Sequence, residues 1–228
     1  MSFTLIDVSH TVEDGMITYK GLPAPIISAH LSREASKAFY EPGTEFHIGK
    51  IEMVANTGTY LDSPFHRYSD GQDLAELELT SLANLEGEVV RTLNAGSDAS
   101  LRQINPSSLE GLDLKGKAVL FHTGWDTNWR TEKYSDGTHA FLAASTAEML
   151  VSAGAALVGI DSFNIDDTAG GKRPVHSILL RAGIPVVEHL CELGKLPDSG
   201  FRFFAVPVKV KDFGTFPVRA FAIAEDGK

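Results

Sequence analysis

Cysteine is almost missing from this chain. Cys191 is the only one in 228 residues, so no disulfide framework can form within the chain and no thiolate-rich metal site can be built. Any metal must rest on carboxylates and on the eight histidines. Long apolar runs are missing too, because stretches such as Ala155 to Ile160 fall far short of the roughly 20 residues that span a bilayer. The opening Met-Ser-Phe-Thr-Leu-Ile-Asp has no basic region and a carboxylate by Asp7. It does not read as a signal peptide, and the expected location is cytoplasmic. Positive charge is in deficit, with 20 Lys+Arg against 30 Asp+Glu and a formal net charge of −10. That balance argues against a dedicated nucleic-acid or anionic-membrane partner, which needs a cationic field to meet phosphate. No internal repeat or linker divides the chain, and the Gly/Ser stretch Asn94 to Ser100 is only a loop. Residues 1–228 therefore read as one domain.

What is present is an ordinary globular composition, 43% hydrophobic and 22% charged, arranged as an α/β pattern. The first half reads mostly as strands over Phe3 to Val8, Phe46 to Val54 and Gly87 to Leu93. Leucines at 74, 77, 79, 82 and 85 fit a helix loosely, and Asn105-Pro106 marks a helix start. The second half alternates more clearly. Lys117 to His122 reads as a strand, and Ser145-Thr146-Ala147-Glu148 as a capping box opening a helix that Gly154 ends. Ala156 to Ile160 is a buried strand, Pro174 starts a helix that Gly183 stops, and Ile184 to Val187 is the next strand. Phe201 to Val210 and Pro217 to Ala224 read as a closing antiparallel pair. Strand, helix, strand, helix, strand implies a parallel βαβ core with extra strands from the first half.

That topology has a chemical consequence, because ligands in parallel sheets sit beyond the carboxyl ends of the strands. Asp161 follows one strand, Glu188 follows the next, and His176 lies in the first turn of the helix between them. The three are expected at one rim, although a strand-end carboxylate also commonly caps a helix or pairs with an arginine such as Arg173 or Arg181. A second feature is Asn56-Thr-Gly-Thr-Tyr60-Leu-Asp62-Ser-Pro64-Phe-His66. Pro64 forbids a regular helix, so Asp62 and His66 are displayed on a loop. A carboxylate there can bind a cation and a nearby histidine can ligate or move protons; an Asx-turn explains Asp62 equally well. Trp125, Trp129 and Tyr134 can wall a planar substrate or simply fill the core, and His47 lies in a strand that can point inward. Gly170-Gly171-Lys172 lacks the glycine spacing of a phosphate loop.

The segment from Asn56 to His66 resembles the HxGTHxDxPxH motif of the cyclase family of metal-dependent hydrolases, which includes kynurenine formamidases and isatin hydrolase. Leu5-Ile-Asp-Val-Ser-His, His122-Thr-Gly-Trp and Gly159-Ile-Asp-Ser-Phe-Asn-Ile-Asp resemble further family segments in the same order. His176 and Glu188 match its later histidine and glutamate. The resemblance implies a swivelling β/β/α fold, a homodimer or homotetramer, and hydrolysis of an amide, lactam or lactone in a small substrate. It implies a divalent ion, zinc or manganese, with Asp62, His176 and Glu188 at ligand positions and His66 at the acid/base position. Two motif histidines are replaced, by Asn56 and Tyr60, which are poor ligands as a neutral amide and an un-ionised phenol. Three ligands remain, enough for one ion. Tyr60 is then a donor to a developing oxyanion and Asn56 a substrate contact, with Trp125 and His47 as further substrate contacts. A metal-independent acid/base enzyme using Tyr60 and His66, as an isomerase, lyase or cyclase, is the second reading; an inactive small-molecule binder is the third.

Overall fold

The structure is a computed structural model, and it describes residues 2–92 and 102–225. Nine strands form one mixed sheet. They are β1 (Phe3–Asp7), β4 (Tyr60–Asp62), β5 (Leu85–Arg91), β7 (Ala118–His122), β9 (Leu157–Ile160), β10 (Val186–Glu188), β11 (Ser199–Phe204), β12 (Thr215–Pro217) and β13 (Phe221–Glu225), in the spatial order β1-β13-β11-β5-β7-β9-β10-β4-β12. The central run from β5 through β7 and β9 to β10 is parallel, and antiparallel strands close it on both sides. The swivelling α/β architecture expected from the sequence is the one observed.

The central strands are nearly continuous apolar runs because the sheet is covered on both faces. Alternate residues of β7 divide between two cores: Ala118 and Leu120 face one, Val119 and Phe121 the other. The second core is closed by two helices, α2 (Ala144–Ala153) and α3 (Pro174–Arg181), through Ala147, Leu150, Val175 and Leu179. The first is closed by loop leucines and by Phe201 and Phe203. Outside the sheet, β2 (Ile26–Leu31) and β3 (Ile48–Glu52) pair antiparallel as a two-stranded arm, with the one-turn helix α1 (Arg33–Ser36) between them. The short strands β6 (Gln103–Ile104) and β8 (Phe141–Leu142) pair with each other. No helix among the described residues is long and apolar enough to cross a membrane.

Several local expectations shift. The leucine-rich stretch 73–85 is not helical beyond a 3₁₀ turn at Leu79–Ser81. Asp73 Oδ1 accepts from the N–H groups of Ala75 and Glu76, an Asx-type turn that competes with helix, so Leu74, Leu82 and Leu85 reach the core from a loop. After Asn105, Pro106–Leu109 forms only a 3₁₀ turn. Helix α2 begins two residues early, capped by Ala143 without a side-chain bond, so Ser145 lies inside the helix and forms no capping box; Thr146 donates its hydroxyl to the Ile104 carbonyl. Gly154 ends α2 in the left-handed region as expected. The closing pair is β11 with β13, while Thr215–Pro217 splits off as β12 and joins β4. The loop at 94–100 lies outside the described residues.

Candidate active site

Strand β4 carries the centre of the motif between β10 and β12. Tyr60 sits opposite Glu188, and Asp62 opposite both Val186 and Thr215. The period of two sends Leu61 and Val187 into one core and turns Tyr60 and Asp62 toward the helix-bearing face. Pro64 then opens a single 3₁₀ turn that ends at His66. Gly214 lets β12 press against that turn: a Cβ there would meet the His66 backbone nitrogen at 2.5 Å. The same contact brings Thr215 up to the motif.

Asp62, His176 and Glu188 converge. His176 Nε2 lies 3.6 Å from Asp62 Oδ2 and 3.5 Å from Glu188 Oε1, and one ligand atom from each residue falls within 4.8 Å of the others. All three side chains are buried. Among the described residues Asp62 Oδ2 has no hydrogen-bond partner, which is costly for a buried carboxylate oxygen unless something cationic meets it. Glu188 is otherwise well held, accepting from the Tyr60 hydroxyl at 2.7 Å and from the Ile165 N–H at 2.8 Å.

Asp161 does not join this cluster. It folds back on the β7 turn, accepting from the N–H groups of Thr123 and Gly124 and from the Thr123 hydroxyl. The carboxylate that does join is Asp166, which the sequence reading passed over. It accepts from the N–H groups of Val175 and His176 at 2.8 and 3.0 Å and from His176 Nδ1 at 2.7 Å. The helix-capping role open to Asp161 is thus filled five residues later. Because Asp166 accepts the hydrogen bond of Nδ1, the opposite ring nitrogen of His176, Nε2, is directed at Asp62 and Glu188.

His66 is arranged by a second residue that left no sequence signal, Thr215. The Thr215 hydroxyl makes a short hydrogen bond to Asp62 Oδ1 and lies 2.7 Å from His66 Nδ1. A hydroxyl has one proton. Donating it to Asp62, Thr215 can only accept from His66, so Nδ1 carries the hydrogen and Nε2 is left basic. His66 is also the accessible member of the group, at 36% side-chain exposure.

Charge at the site follows from these neighbours. Burial alone would push the His176 imidazolium down, but Glu188, Asp166 and Asp62 outweigh it and raise its pKa to about 10. Burial, reinforced by Asp62 and opposed by His176, lifts Glu188 to about 7. Tyr60 is raised well above the ordinary phenol by burial and then by Glu188, so it stays a neutral donor, and a phenolate ligand is disfavoured.

A cavity of about 850 Å³ opens over the cluster, lined in part by Asn56, Tyr60, His66, His176 and Glu188, with Tyr19 and Asn164 as walls the sequence reading did not single out. Tyr19 donates to the Phe163 carbonyl and accepts from Asn164. Trp125 and His47 are not on this lining. Trp125 donates its indole N–H to the Tyr134 carbonyl and lies edge-on to His139. His47 is exposed directly before β3.

The family model described as putative cyclase matches residues 6–167. The chain belongs to the cyclase family. Within it, the chain is 26% identical over 216 residues to a kynurenine formamidase of Bacillus cereus, covering 94% of this chain and 95% of that protein. It is 29% identical over 181 residues to a kynurenine formamidase of Polaromonas naphthalenivorans, covering 78% and 75%. An isatin hydrolase bound to the product analogue thioisatinate shares the cyclase-family fold with a TM-score of 0.82 at 20% identity, over 98% of this chain and 93% of that one. A structure described as a potential metal-dependent hydrolase with cyclase activity superposes with a TM-score of 0.78 at 23% identity, over 99% and 100%.

Proposed function

We propose that this chain hydrolyses an amide, lactam or lactone bond in a small, aromatic substrate, with one divalent ion held by Asp62, His176 and Glu188. The observation that carries the reading is the convergence of Asp62 Oδ2, left without a partner, with His176 Nε2 and Glu188 Oε1. Two carboxylates and an imidazole that releases its Nε2 proton to an incoming ion suit zinc or manganese. The remaining positions of the motif, Asn56 and Tyr60, are an amide and a neutral phenol, so the donor set ends at three and serves a single ion. When bound, the ion supplies a Lewis acid that polarises a carbonyl and makes water more acidic. The kynurenine formamidase relatives support the amide substrate class.

His66 does the proton work. Its Nε2, left with the lone pair because the Nδ1 hydrogen goes to a Thr215 hydroxyl that itself donates to Asp62, takes a proton from the attacking water and returns it to the leaving nitrogen or oxygen. Tyr60 fixes Glu188 in place, a charge-assisted bond worth about 1.5–3 kcal/mol. Asn56 faces the cavity as a donor to the substrate. A metal-independent reaction with Tyr60 and His66 as acid and base would need Tyr60 to give up its proton, which its burial beside Glu188 opposes. Hydrolysis of formanilide and related aryl amides and lactones separates the readings. Activity abolished by chelation and restored by zinc or manganese supports this one; activity that survives chelation and disappears in Tyr60→Phe transfers the assignment to the metal-independent enzyme. No turnover of any member of the panel leaves a binder.

We also propose a homodimer or homotetramer. The β2–β3 arm exposes Ile26, Ile27, Phe46, Ile48 and Ile51, and a two-stranded ribbon with bare apolar residues is not stable alone. Sedimentation equilibrium is expected to give an oligomer that Ile26→Lys/Ile51→Lys reduces to monomer. A monomeric parent chain refutes it.

A further inference from the structure

The cavity has an electrostatic asymmetry that the reaction chemistry does not use. Apart from Glu188 and the histidines, the charged residues on its lining are all cationic: Arg67, Lys172 and Arg173. This is a local reversal in a chain with a net charge of −10. Glu188 cannot neutralise the rim, since its two oxygens already hold the Tyr60 hydroxyl and the Ile165 N–H.

The three cations are placed by different means. Arg173 Nη1 donates to the carbonyls of Asp167, Gly170 and Lys172 at 3.2, 2.7 and 2.8 Å. The loop from 167 to 172 is thereby wrapped around one guanidinium, and Lys172 is held at the cavity edge beyond the open Gly170-Gly171 pair. Arg67 follows His66 directly; its Nε donates to Ser177 Oγ at 3.3 Å and its guanidinium lies 5.4 Å from the Tyr68 ring. Among the described residues neither Arg67 nor Lys172 has a carboxylate at ion-pair distance. Arg181, at the far end of α3 and off the cavity lining, is paired with Asp70 at 3.2 Å. The same stretch of surface therefore neutralises the cation that faces away from the cavity and leaves bare the two that face it.

We infer that the substrate is an anion, a small molecule carrying a carboxylate close to its scissile bond, which Arg67 and Lys172 bind at the rim while the bond lies over Asp62, His176 and Glu188. The inference rests on the hydrolase reading for the words "scissile bond", but the anion recognition does not depend on turnover. Guanidinium and ammonium groups without partners recognise carboxylate by charge-assisted bonds. A concave site concentrates their field and draws an anion past the acidic remainder of the surface. The Gly170-Gly171-Lys172 segment, which is no phosphate loop by its spacing, acquires a role as the carrier of one of these cations.

Two matched pairs of probes test this. Anthranilate and aniline, which differ by one carboxylate, are titrated calorimetrically into the purified protein. 2-Formamidobenzoate and formanilide are compared as substrates by kcat/KM. Anthranilate is expected to bind at least tenfold more tightly than aniline, with the advantage shrinking in 0.5 M salt. In Arg67→Ala/Lys172→Ala the anthranilate-to-aniline ratio is expected to fall at least fivefold, and in Lys172→Glu to fall further. The kcat/KM ratio is expected to move in parallel. An anthranilate-to-aniline ratio near one, or a ratio unchanged by the double variant, overturns the inference and leaves the rim cations as a counterweight to the buried carboxylates. Turnover of formanilide together with a ratio near one would sink the anion alone. Absence of turnover with a large, variant-sensitive binding ratio would sink the hydrolase and keep the anion.

Discussion

His176 and His189 are both buried and thirteen positions apart in sequence, yet their surroundings drive them in opposite directions. His176 is ringed by Asp62, Asp166 and Glu188 and holds its proton to about 10. His189 is ringed by Tyr60, Tyr19, Trp129, Tyr134 and Phe163, and its ring has one polar partner among the described residues, the Tyr134 hydroxyl at 2.7 Å. Burial holds its imidazolium well below the ordinary range. Burial is common to both, so the carboxylates make the difference. The field that draws a proton to His176 is the field that would attract a cation to Asp62 and Glu188, while the aromatic side is built to stay neutral. Tyr60 divides them, its ring against His189 and its hydroxyl on Glu188.

The contrast can be broken from the carboxylate side first. Asp166→Asn removes the anion that fixes the Nδ1 hydrogen of His176 and is expected to weaken zinc or manganese binding about 10–100-fold, the usual cost of losing such an outer partner. Titration against a competing metal indicator reads this directly, and an affinity within twofold of the parent chain would mean that Asp166 merely caps α3.

The aromatic side gives a smaller and oppositely signed effect. His10 stacks on Trp129 at 3.9 Å, and its pKa is lowered from 6.5 to about 4 by burial first and by Arg130 second, with Glu192 opposing. An unfolded histidine takes a proton near 6.5, so between that pH and about 4 the unfolded chain binds a proton that the folded chain refuses. Stability is therefore complete above pH 6.5 and declines as the pH falls toward 4. His10 is partly exposed, so its share at pH 5 is discounted to about 1 kcal/mol, a few degrees in Tm. His10→Phe should narrow the drop in Tm between pH 7 and pH 5 by about that much, and an unchanged drop would place the pH sensitivity elsewhere.

Much of this arrangement was legible in the sequence. The parallel core followed from apolar runs punctuated by glycine and proline, and the convergence of His176 with Glu188 followed from the rule that ligands lie at the carboxyl ends of strands. Asp62 and His66 were conspicuous because Pro64 bars a helix between them. What stayed hidden depended on contacts across long sequence separations. Thr215 reaches Asp62 only because its strand leaves the expected closing pair and crosses to β4. Asp161 sits at the strand end and Asp166 five residues further along the same loop, and only the path of that loop decides which meets His176. Trp125 and His47 were placed near the substrate by residue type alone, and type says nothing about which side of a loop a ring takes. The rim cations were hidden because an exposed arginine or lysine is unremarkable until the cavity beside it is seen.

The central claim is that the carboxylate-ringed histidine marks a site for one cation. Elemental analysis of the protein after incubation with zinc or manganese and gel filtration, with the Tm read on the same samples, tests it most directly. The account predicts one ion per chain and a rise of several degrees, since a ligand at 100 times its Kd adds about 2.7 kcal/mol, with both effects lost in Asp62→Asn. Metal-free protein with an unmoved Tm, or an undiminished ion in Asp62→Asn, would contradict it.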